Sequence, residues 1–214
     1  MTGGDGGFCH IDEDNPNIQI SAYTGNSYNI TSNAWGSSAY VSFSGGKFIN
    51  PTDYDSDNNI LYTANGTGNY SLIKNVGTTN NTSTTSVASF SSTVSAITVS
   101  PNTNHRVFFG LERGLVFRVD DANTTAPSVT NISPPVSTPY CSSIAVQEGD
   151  DDHLLVTYSN YGTISVLNPQ MAEATGLASK ETYQICLFVG LFLILSTPTK
   201  PYWQPKWAFG QPMI

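Results

Sequence analysis

The stretch VSPNTNHRVFFGLERGLVFRV, from Val99 to Val119, decides the fold of this chain. It contains a polar turn rich in Asn, an apolar strand, a short turn with glycine and a further apolar strand. Three other stretches, which begin at Ile11, Tyr54 and Val146, have the same order. The second residues of the four units lie 43, 45 and 47 residues apart, so the unit is an internal repeat. These second residues are Asp12, Asp55, Ser100 and Gln147.

A repeat of about 45 residues with several strands per unit is typical of β-propeller blades and not of a helical solenoid. We therefore predict an all-β chain with about four propeller blades over residues 1–167. This set is incomplete, because propellers usually close with about four to eight blades. We expect the polar turns, such as Asp12–Asn17 and Ser100–Asn104, to be structural, because Asp and Asn side chains bond the backbone two residues on.

The composition excludes some classes of partner. Only 11% of the residues are charged, against about 25% in ordinary domains. The abundance of Asn, Ser, Thr and Gly is typical of β-rich extracellular proteins. The net charge of −8 argues against nucleic acid or an anionic membrane as partner. We expect a protein outside the cell or at the cell surface, although no signal peptide precedes the first repeat.

The three cysteines, Cys9, Cys141 and Cys186, form no CxxC or Cys/His pattern. We therefore predict no metal site and no cofactor. A Cys9–Cys141 disulfide remains open, but the pattern favours free cysteines buried on strands.

The acidic and basic residues give little sign of catalysis. A glycosidase needs two carboxylates about 5 to 10 Å apart. Asp5, in the glycine-rich segment before the first repeat, is the best-placed acid, but it has no identifiable partner. Three arginines, Arg106, Arg113 and Arg118, lie in one unit and are expected to be solvated. The run Glu148–Asp152 lacks the alternating order of a calcium loop and predicts a solvated acidic turn.

The histidines His10, His105 and His153 accompany no GxSxG motif. We expect His105 and His153 to occupy equivalent turn positions. No residue is therefore predicted to be catalytic or to bind metal, and no ligand-binding residue is identified. Several tyrosines recur beside the turns. Such rings can stack on sugars at a propeller face, but we expect these to fill the gaps between blades. They are Tyr23, Tyr28, Tyr62, Tyr70, Tyr158 and Tyr161.

The repeat stops before residues 168–214. The apolar run Ile185–Leu195 is too short to cross a bilayer, so we expect no membrane span. Codons exist for this tail whose reading two bases along encodes S-x-D-x-G-x-x-W and a further repeat-like strand. We hypothesise that the tail is a frameshifted translation and does not fold with the blades. The DNA that encodes and flanks the chain tests this hypothesis.

Within residues 3–166, the chain resembles the BNR/Asp-box β-propellers, the sialidase-like and sortilin-like group found in exported Bacteroidetes proteins. The Asp-box pattern S-x-D-x-G-x-[TS]-[WF] occurs only in a degenerate form, at Thr31–Ser37. The segments that carry the resemblance are Gly3–Asp12, Asp14–Ser21, Ile49–Tyr62, Val99–Val119 and His153–Val166.

This resemblance implies an extracellular binding or scaffold module that recognises carbohydrate or protein. The alternative that it implies is a piece of a BNR-repeat glycoside hydrolase, sialidase-like or endoglucanase-like. The degenerate Asp-box and the absence of a paired carboxylate in the sequence favour the binding module.

Overall fold

A computed structural model of the chain describes residues 5–134 and 140–159. Its described part is built of β-strands joined by turns, and no helix in it is long and apolar enough to cross a membrane. The strands are β1 Gly6–Ile11, β2 Gln19–Tyr23, β3 Ser27–Thr31, β4 Ala39–Ser42, β5 Thr52–Asp55, β6 Ile60–Ala64, β7 Asn69–Lys74, β8 Asn81–Ser86, β9 Val94–Val99, β10 Val107–Leu111, β11 Val116–Asp120, β12 Ser128–Asn131, β13 Cys141–Gln147 and β14 Asp150–Tyr158.

The strands form consecutive antiparallel sheets, each corresponding to one sequence repeat. Blade 1 is β1–β4, blade 2 is β5–β8 and blade 3 is β9–β12, each with its strands in chain order. Blade 4 is described as the hairpin β13–β14. The second residue of every repeat ends the first strand of its sheet or directly follows it. The predicted all-β blades are thus confirmed, whereas the third strand of the fourth repeat and the tail 168–214 lie outside the described residues.

Three hydrophobic clusters fill the interfaces between neighbouring blades and form the core. Since side chains alternate across a strand, each central sheet can bury both of its faces. Blades 1 and 2 meet through Ile18, Ile20, Ala22, Tyr28, Ile30, Leu61, Ile73 and Val76. Blades 2 and 3 meet through a larger cluster that includes Tyr62, Tyr70, Leu72, Phe90, Phe109 and Phe117. Blades 3 and 4 meet through Ala96, Phe108, Val116, Cys141, Ile144, Leu154, Val156 and Tyr158.

The recurring polar residues stabilise the turn between the first two strands. Asp12 Oδ1 accepts hydrogen bonds from the backbone N of Asp14 at 3.1 Å and of Asn15 at 2.7 Å. Ser100 Oγ does the same for Asn102 N at 3.0 Å and for the residue after it. These bonds confirm the predicted structural role of Asp12 and Ser100 in their turns.

Both described cysteines are free, so Cys9 and Cys141 form no disulfide. Cys141 is buried between blades 3 and 4, and burial raises the pKa of its thiol to about 12. Cys9, in contrast, is exposed, and the prediction that it is buried was wrong. Cys9 is the strand-pairing partner of Ser21, and its side chain lies on the face of blade 1 that is turned away from blade 2. Cys186 lies beyond the described residues.

Candidate functional site

The loop between β4 and β5 is fixed by a buried amide at its base. Asn50 is only 2% exposed, and its Nδ2 donates to Thr63 Oγ1 at 2.7 Å and to the Ala64 carbonyl at 2.9 Å. Nδ2 also lies 3.2 Å from the Tyr28 hydroxyl. On the loop side, Asn50 Oδ1 accepts the backbone N of Lys47 at 3.0 Å. The amide thereby joins the loop to the middle of blade 2.

A second buried amide, Asn26, holds the other end of the same loop. Its Nδ2 donates to the carbonyls of Gly45 at 2.9 Å and of Ala64 at 2.8 Å. Its Oδ1 accepts the hydroxyl of Tyr28 at 2.8 Å, and burial raises the pKa of that phenol. A Cβ at Gly46 would lie 2.7 Å from the Asn26 Cβ, so the close approach requires glycine. A satisfied buried network of this kind rigidifies the backbone that it holds.

This rigid loop presents two large apolar side chains to solvent. Phe48 is 65% exposed and Ile49 is 55% exposed. Their backbone is fixed as well: Gly25 N donates to the Phe48 carbonyl at 3.1 Å, and Gly25 forms a parallel bridge with Ile49. The exposure of these side chains is therefore not a result of a loose loop.

Lys47 extends this surface toward blades 3 and 4. Its Nζ lies 2.7 Å from Glu112 Oε1, in the turn between β10 and β11. The same Nζ is 3.2 Å from the Tyr140 hydroxyl and 4.8 Å from the centroid of that ring. We define the Phe48 surface as Lys47, Phe48, Ile49 and Tyr140. Single exposed apolar residues are ordinary on protein surfaces, whereas large contiguous apolar patches mark interaction sites.

Arg106 was expected to be solvated, and this prediction was wrong. Its Nε lies 2.5 Å from Asp120 Oδ1, and its Nη1 lies 2.9 Å from Asp151 Oδ2. Arg118 Nε also approaches Asp120, at 3.3 Å. Of the three arginines, Arg113 is exposed as predicted.

The prediction that the run Glu148–Asp152 is a solvated acidic turn was only partly correct. The Asp151 side chain is 7% exposed, whereas that of Asp152 is 58% exposed. Blade 4 packs its hairpin against the first turn of blade 3, which removes Asp151 from water. The carboxylate then needs donors, and Ser100, Asn102 and Thr103 supply them along with the guanidinium.

Two of the histidines bind neighbouring side chains. His10 Nε2 lies 2.9 Å from Thr52 Oγ1, and burial lowers the pKa of the imidazole to about 4. His153 Nδ1 contacts the carboxylate of Asp150. Val107 pairs with Val99 in blade 3, and Leu154 pairs with Val146 in the same way in blade 4. His153 therefore occupies the position in blade 4 that Arg106, and not His105, occupies in blade 3. The predicted equivalence of His105 and His153 was wrong by one residue.

Asp5, the best-placed acid in the sequence, is exposed before β1, with no ion pair or hydrogen bond to other described residues. Among residues 5–134 and 140–159, no three His, Cys, Asp or Glu side chains are arranged to hold a metal ion.

Sequence reasoning missed a row of side chains that joins the first strands of adjacent blades. The row begins with the contact of His10 to Thr52, which joins blades 1 and 2. In blade 2, Asp53 Oδ2 accepts the backbone N of Val99 at 2.7 Å. In blade 3, Thr98 Oγ1 donates to the backbone carbonyl of Ile144 at 2.8 Å.

His10, Asp53 and Thr98 each directly precede the first residue of a sequence repeat, and this shared register was the available signal. Burial raises the pKa of Asp53 to about 6, although hydrogen bonds from two backbone amides oppose the shift. The titratable groups in this row are therefore engaged in interblade contacts.

The comparison with solved structures agrees with this architecture. The chain is similar to the β-propeller domain of Cps50 (Swd1) from Myceliophteria thermophila, with a TM-score of 0.60 and 12% sequence identity. The match covers 81% of this chain and 55% of that one. No family model and no curated protein matches the chain. The similarity shows the fold alone, and on that evidence the chain is a β-propeller that spans about half the length of this neighbour.

Proposed function

We propose that this chain is a binding module that takes a protein partner on the Phe48 surface. The observation that carries the proposal is the exposure of Phe48 and Ile49 on a loop that Asn26 and Asn50 hold rigid. A preorganised loop loses little conformational freedom on binding, so more of the contact energy appears as affinity. Aromatic side chains at the centre of a contact are the usual anchors of protein interfaces.

The charge of this surface defines the chemistry of the partner. Glu112 already pairs with Lys47, so the surface offers no free charge for an acidic or basic ligand. The ammonium group lies over the Tyr140 ring and covers one of its faces. We therefore expect an uncharged, apolar segment of the partner to contact Phe48 and Ile49.

We place the protein outside the cell, within the BNR/Asp-box group of propellers. The turn at Thr31–Ser37 supports this assignment, since Asn33 Oδ1 accepts Ser37 N at 2.8 Å from the third position of the Asp-box pattern. Trp35 stands at the fifth position, where the pattern has glycine, and its φ of 69° lies in the region that favours glycine. The low charged fraction agrees with export, and an upstream export signal in the flanking DNA would test it.

No described contact favours the hydrolase alternative. Asp53 has the raised pKa of a general acid, but its two oxygens accept the backbone amides of Tyr54 and Val99. The arginines Arg106 and Arg118 are paired with carboxylates and so are not available to hold an acidic sugar.

The proposal can be tested with a phage-displayed library of random peptides, selected against the full chain. Peptides selected in this way are expected to be apolar and to bind about tenfold more weakly to Phe48→Ala, as for a lost contact of about 1.4 kcal/mol. Tyr40→Ala, which removes an equally exposed ring on blade 1, is the matched control and should bind them normally. Selected peptides whose affinity ignores both Phe48→Ala and Ile49→Ser would overturn the proposal.

A further inference from the structure

Blade 1 has one face that no described residue of another blade covers. Side chains of β2–β4 alternate between the two faces of its sheet. Ile20, Tyr28 and Ile30 point toward blade 2 and are buried. The opposite face consists of the residues that alternate with them, and we call it the outer face of blade 1. It carries Gln19, Ser21, Tyr23, Ser27, Asn29, Thr31, Tyr40 and Ser42 on the three strands. Cys9 and Ile11 of β1 lie in register with Ser21 and Gln19 and extend this face, and Ile11 is 62% exposed.

The outer face differs in chemistry from the faces with which the blades pack. Blade 2 uses Leu61 and Ile73 toward blade 1, and Tyr62 and Leu72 toward blade 3. Blade 3 is apolar on both faces too. A sheet packed on the outer face would bury amides such as Asn29, and each buried amide without a partner costs about 1–3 kcal/mol. Apart from Cys9 and Ile11 at its β1 edge, the outer face is therefore suited to contact with water or a polar ligand.

Three aromatic side chains lie on this polar face. Tyr40 is 64% exposed and Tyr23 is 39% exposed. Strand pairing places them two strands and two residues apart, so their Cα atoms are separated by about 12 Å. The third ring is Trp35, whose Nε1 donates to Gln19 Oε1 at 2.5 Å and so folds the indole back onto the same face.

The backbone that carries Trp35 is strained in a way that supports a specific role. Ala34 and Trp35 have φ values of 51° and 69°, which non-glycine residues rarely adopt in succession. Thr31 Oγ1 accepts the backbone N of Trp35 at 3.0 Å, and Asn33 fixes the rest of the turn. Strain of this type persists at sites where the surrounding structure holds a side chain for a purpose.

The chemistry of the outer face matches a neutral sugar chain. None of its strand residues is charged, so it offers nothing to an ionic ligand. Between the rings lie amides and hydroxyls, and the Asn29 amide makes no hydrogen bond to other described side chains. Flat rings pack on the C–H faces of pyranoses, while amides donate to and accept from sugar hydroxyls. We infer that the outer face of blade 1 binds an uncharged polysaccharide through Trp35, Tyr23 and Tyr40, independently of the Phe48 surface.

The test is affinity electrophoresis of the full chain in gels that contain hydroxyethylcellulose, laminarin or galactomannan, with hyaluronan as the anionic comparison. We expect retardation by at least one neutral polysaccharide and none by hyaluronan. Tyr40→Ala should weaken that binding about tenfold, as for a lost contact of about 1.4 kcal/mol. Tyr40→Phe keeps the ring and should bind like the unchanged chain, and Phe48→Ala should do the same. Circular dichroism of each variant verifies the fold.

Three results would overturn the inference. The first is migration unaffected by all three neutral polysaccharides. The second is retardation that Tyr40→Ala and Trp35→Ala both leave unchanged, which would place the sugar elsewhere. The third is a concentration-dependent increase in mass, measured by sedimentation, that Tyr40→Ala abolishes; the outer face would then pack against a second copy of the chain. Because Phe48→Ala serves as a control here, failure of this inference leaves the protein-binding proposal intact.

Discussion

Arg106 Nη1 donates to Asp151 Oδ2 at 2.9 Å and so joins blade 3 to blade 4 through a charged pair. The same carboxylate accepts Ser100 Oγ at 2.6 Å and Thr103 Oγ1 at 2.6 Å. Burial alone would raise the pKa of Asp151, but these hydrogen bonds and the guanidinium hold it below its ordinary value. The folded state therefore favours the charged carboxylate, which supports the interface between the two blades.

Asp151→Asn should lower the free energy of unfolding by about 2 kcal/mol at neutral pH. It removes the negative charge that faces Arg106 Nη1 and replaces one of the two acceptor oxygens used by Ser100 and Thr103 with a donor. Since the pKa is lowered in the folded state, the contribution of Asp151 is present at neutral pH. It is lost as the pH falls below about 4. Urea denaturation between pH 3 and 7 measures both effects. Asp152→Asn, at a 58% exposed side chain, should change stability by less than about 0.5 kcal/mol. Equal losses of unfolding free energy in the two variants would contradict a specific stabilising role of Asp151 at the interface of blades 3 and 4.

The architecture was predictable because blade repeats leave a local signature. The turn residues Asp12, Asp55 and Ser100 recur in register, and their side chains bond backbone atoms only two or three residues away. Such contacts are encoded in short stretches of sequence. The repeat in Val99–Val119 and its three counterparts was therefore enough to predict the all-β blades.

Contacts between blades were not predictable in the same way. Arg106 and Asp151 are 45 residues apart, and only the packing of two complete sheets brings them together. The segment that contains Phe48 is also without periodicity, because Asn26 and Asn50 fix it through tertiary hydrogen bonds. Sequence spacing thus indicated the blades but not the contacts that align them.

The hydroxyl of Tyr28 should matter far more than that of Tyr40. Tyr28 is fully buried and its hydroxyl contacts Asn26, Asn50 and Thr63. Tyr28→Phe leaves these groups short of a partner and should cost about 1–2 kcal/mol. It should also increase amide hydrogen exchange in residues 45–50, because the network holds that loop.

Tyr40→Phe removes the same atom from an exposed ring, where water replaces the 3.1 Å contact to Ser27. We expect a change below about 0.5 kcal/mol and unchanged exchange in residues 45–50. Both variants need only urea denaturation and exchange mass spectrometry. Unchanged exchange in Tyr28→Phe would show that the network does not rigidify the Phe48 loop.

His10 and Asp53 should give opposite pH dependences of stability. Burial lowers the pKa of His10 to about 4, so its contribution is lost as the pH falls from about 6.5 toward 4. Burial raises the pKa of Asp53 to about 6, so stability is lost as the pH rises from about 4 toward 6. The two effects should largely cancel in the unchanged chain.

Single substitutions should separate these effects. In His10→Gln only Asp53 remains, and stability should fall by about 2 kcal/mol between pH 4 and 6, after allowance for partial exposure of the group. In Asp53→Asn only His10 remains, and stability should rise by a similar amount between pH 4 and 6.5. Thermal unfolding across this range measures both slopes. If stability in both variants depends on pH as it does in the unchanged chain, His10 and Asp53 do not make opposing contributions.

Gly110 should tolerate no side chain. A Cβ there would lie 2.9 Å from the Cys141 Cβ, at the interface of blades 3 and 4. Gly110→Ala should therefore cost about 2 kcal/mol through overpacking. Gly6→Ala is the control, because the nearest atom to its new Cβ would be the Ala22 carbonyl oxygen at 4.0 Å. Equal midpoints in urea for the two variants would show that blade 4 yields to make room.

Ala34 should be one of the few positions where glycine stabilises the protein. Its φ of 51° lies in the left-handed region, where a Cβ costs roughly 1–2 kcal/mol. Glycine removes this strain but adds about 0.5–1 kcal/mol of backbone entropy to the unfolded chain. Ala34→Gly should therefore raise the free energy of unfolding by about 0.5 kcal/mol.

Ala39→Gly, the same change on the exposed strand β4, relieves no strain and should lower the free energy of unfolding by about 0.5–1 kcal/mol. The two substitutions are chemically identical, so opposite signs in urea denaturation can arise only from the backbone. A loss of stability in both variants would mean that the turn holding Trp35 is relaxed. The strain at Ala34 and Trp35 would then no longer support a sugar-binding role for the outer face of blade 1.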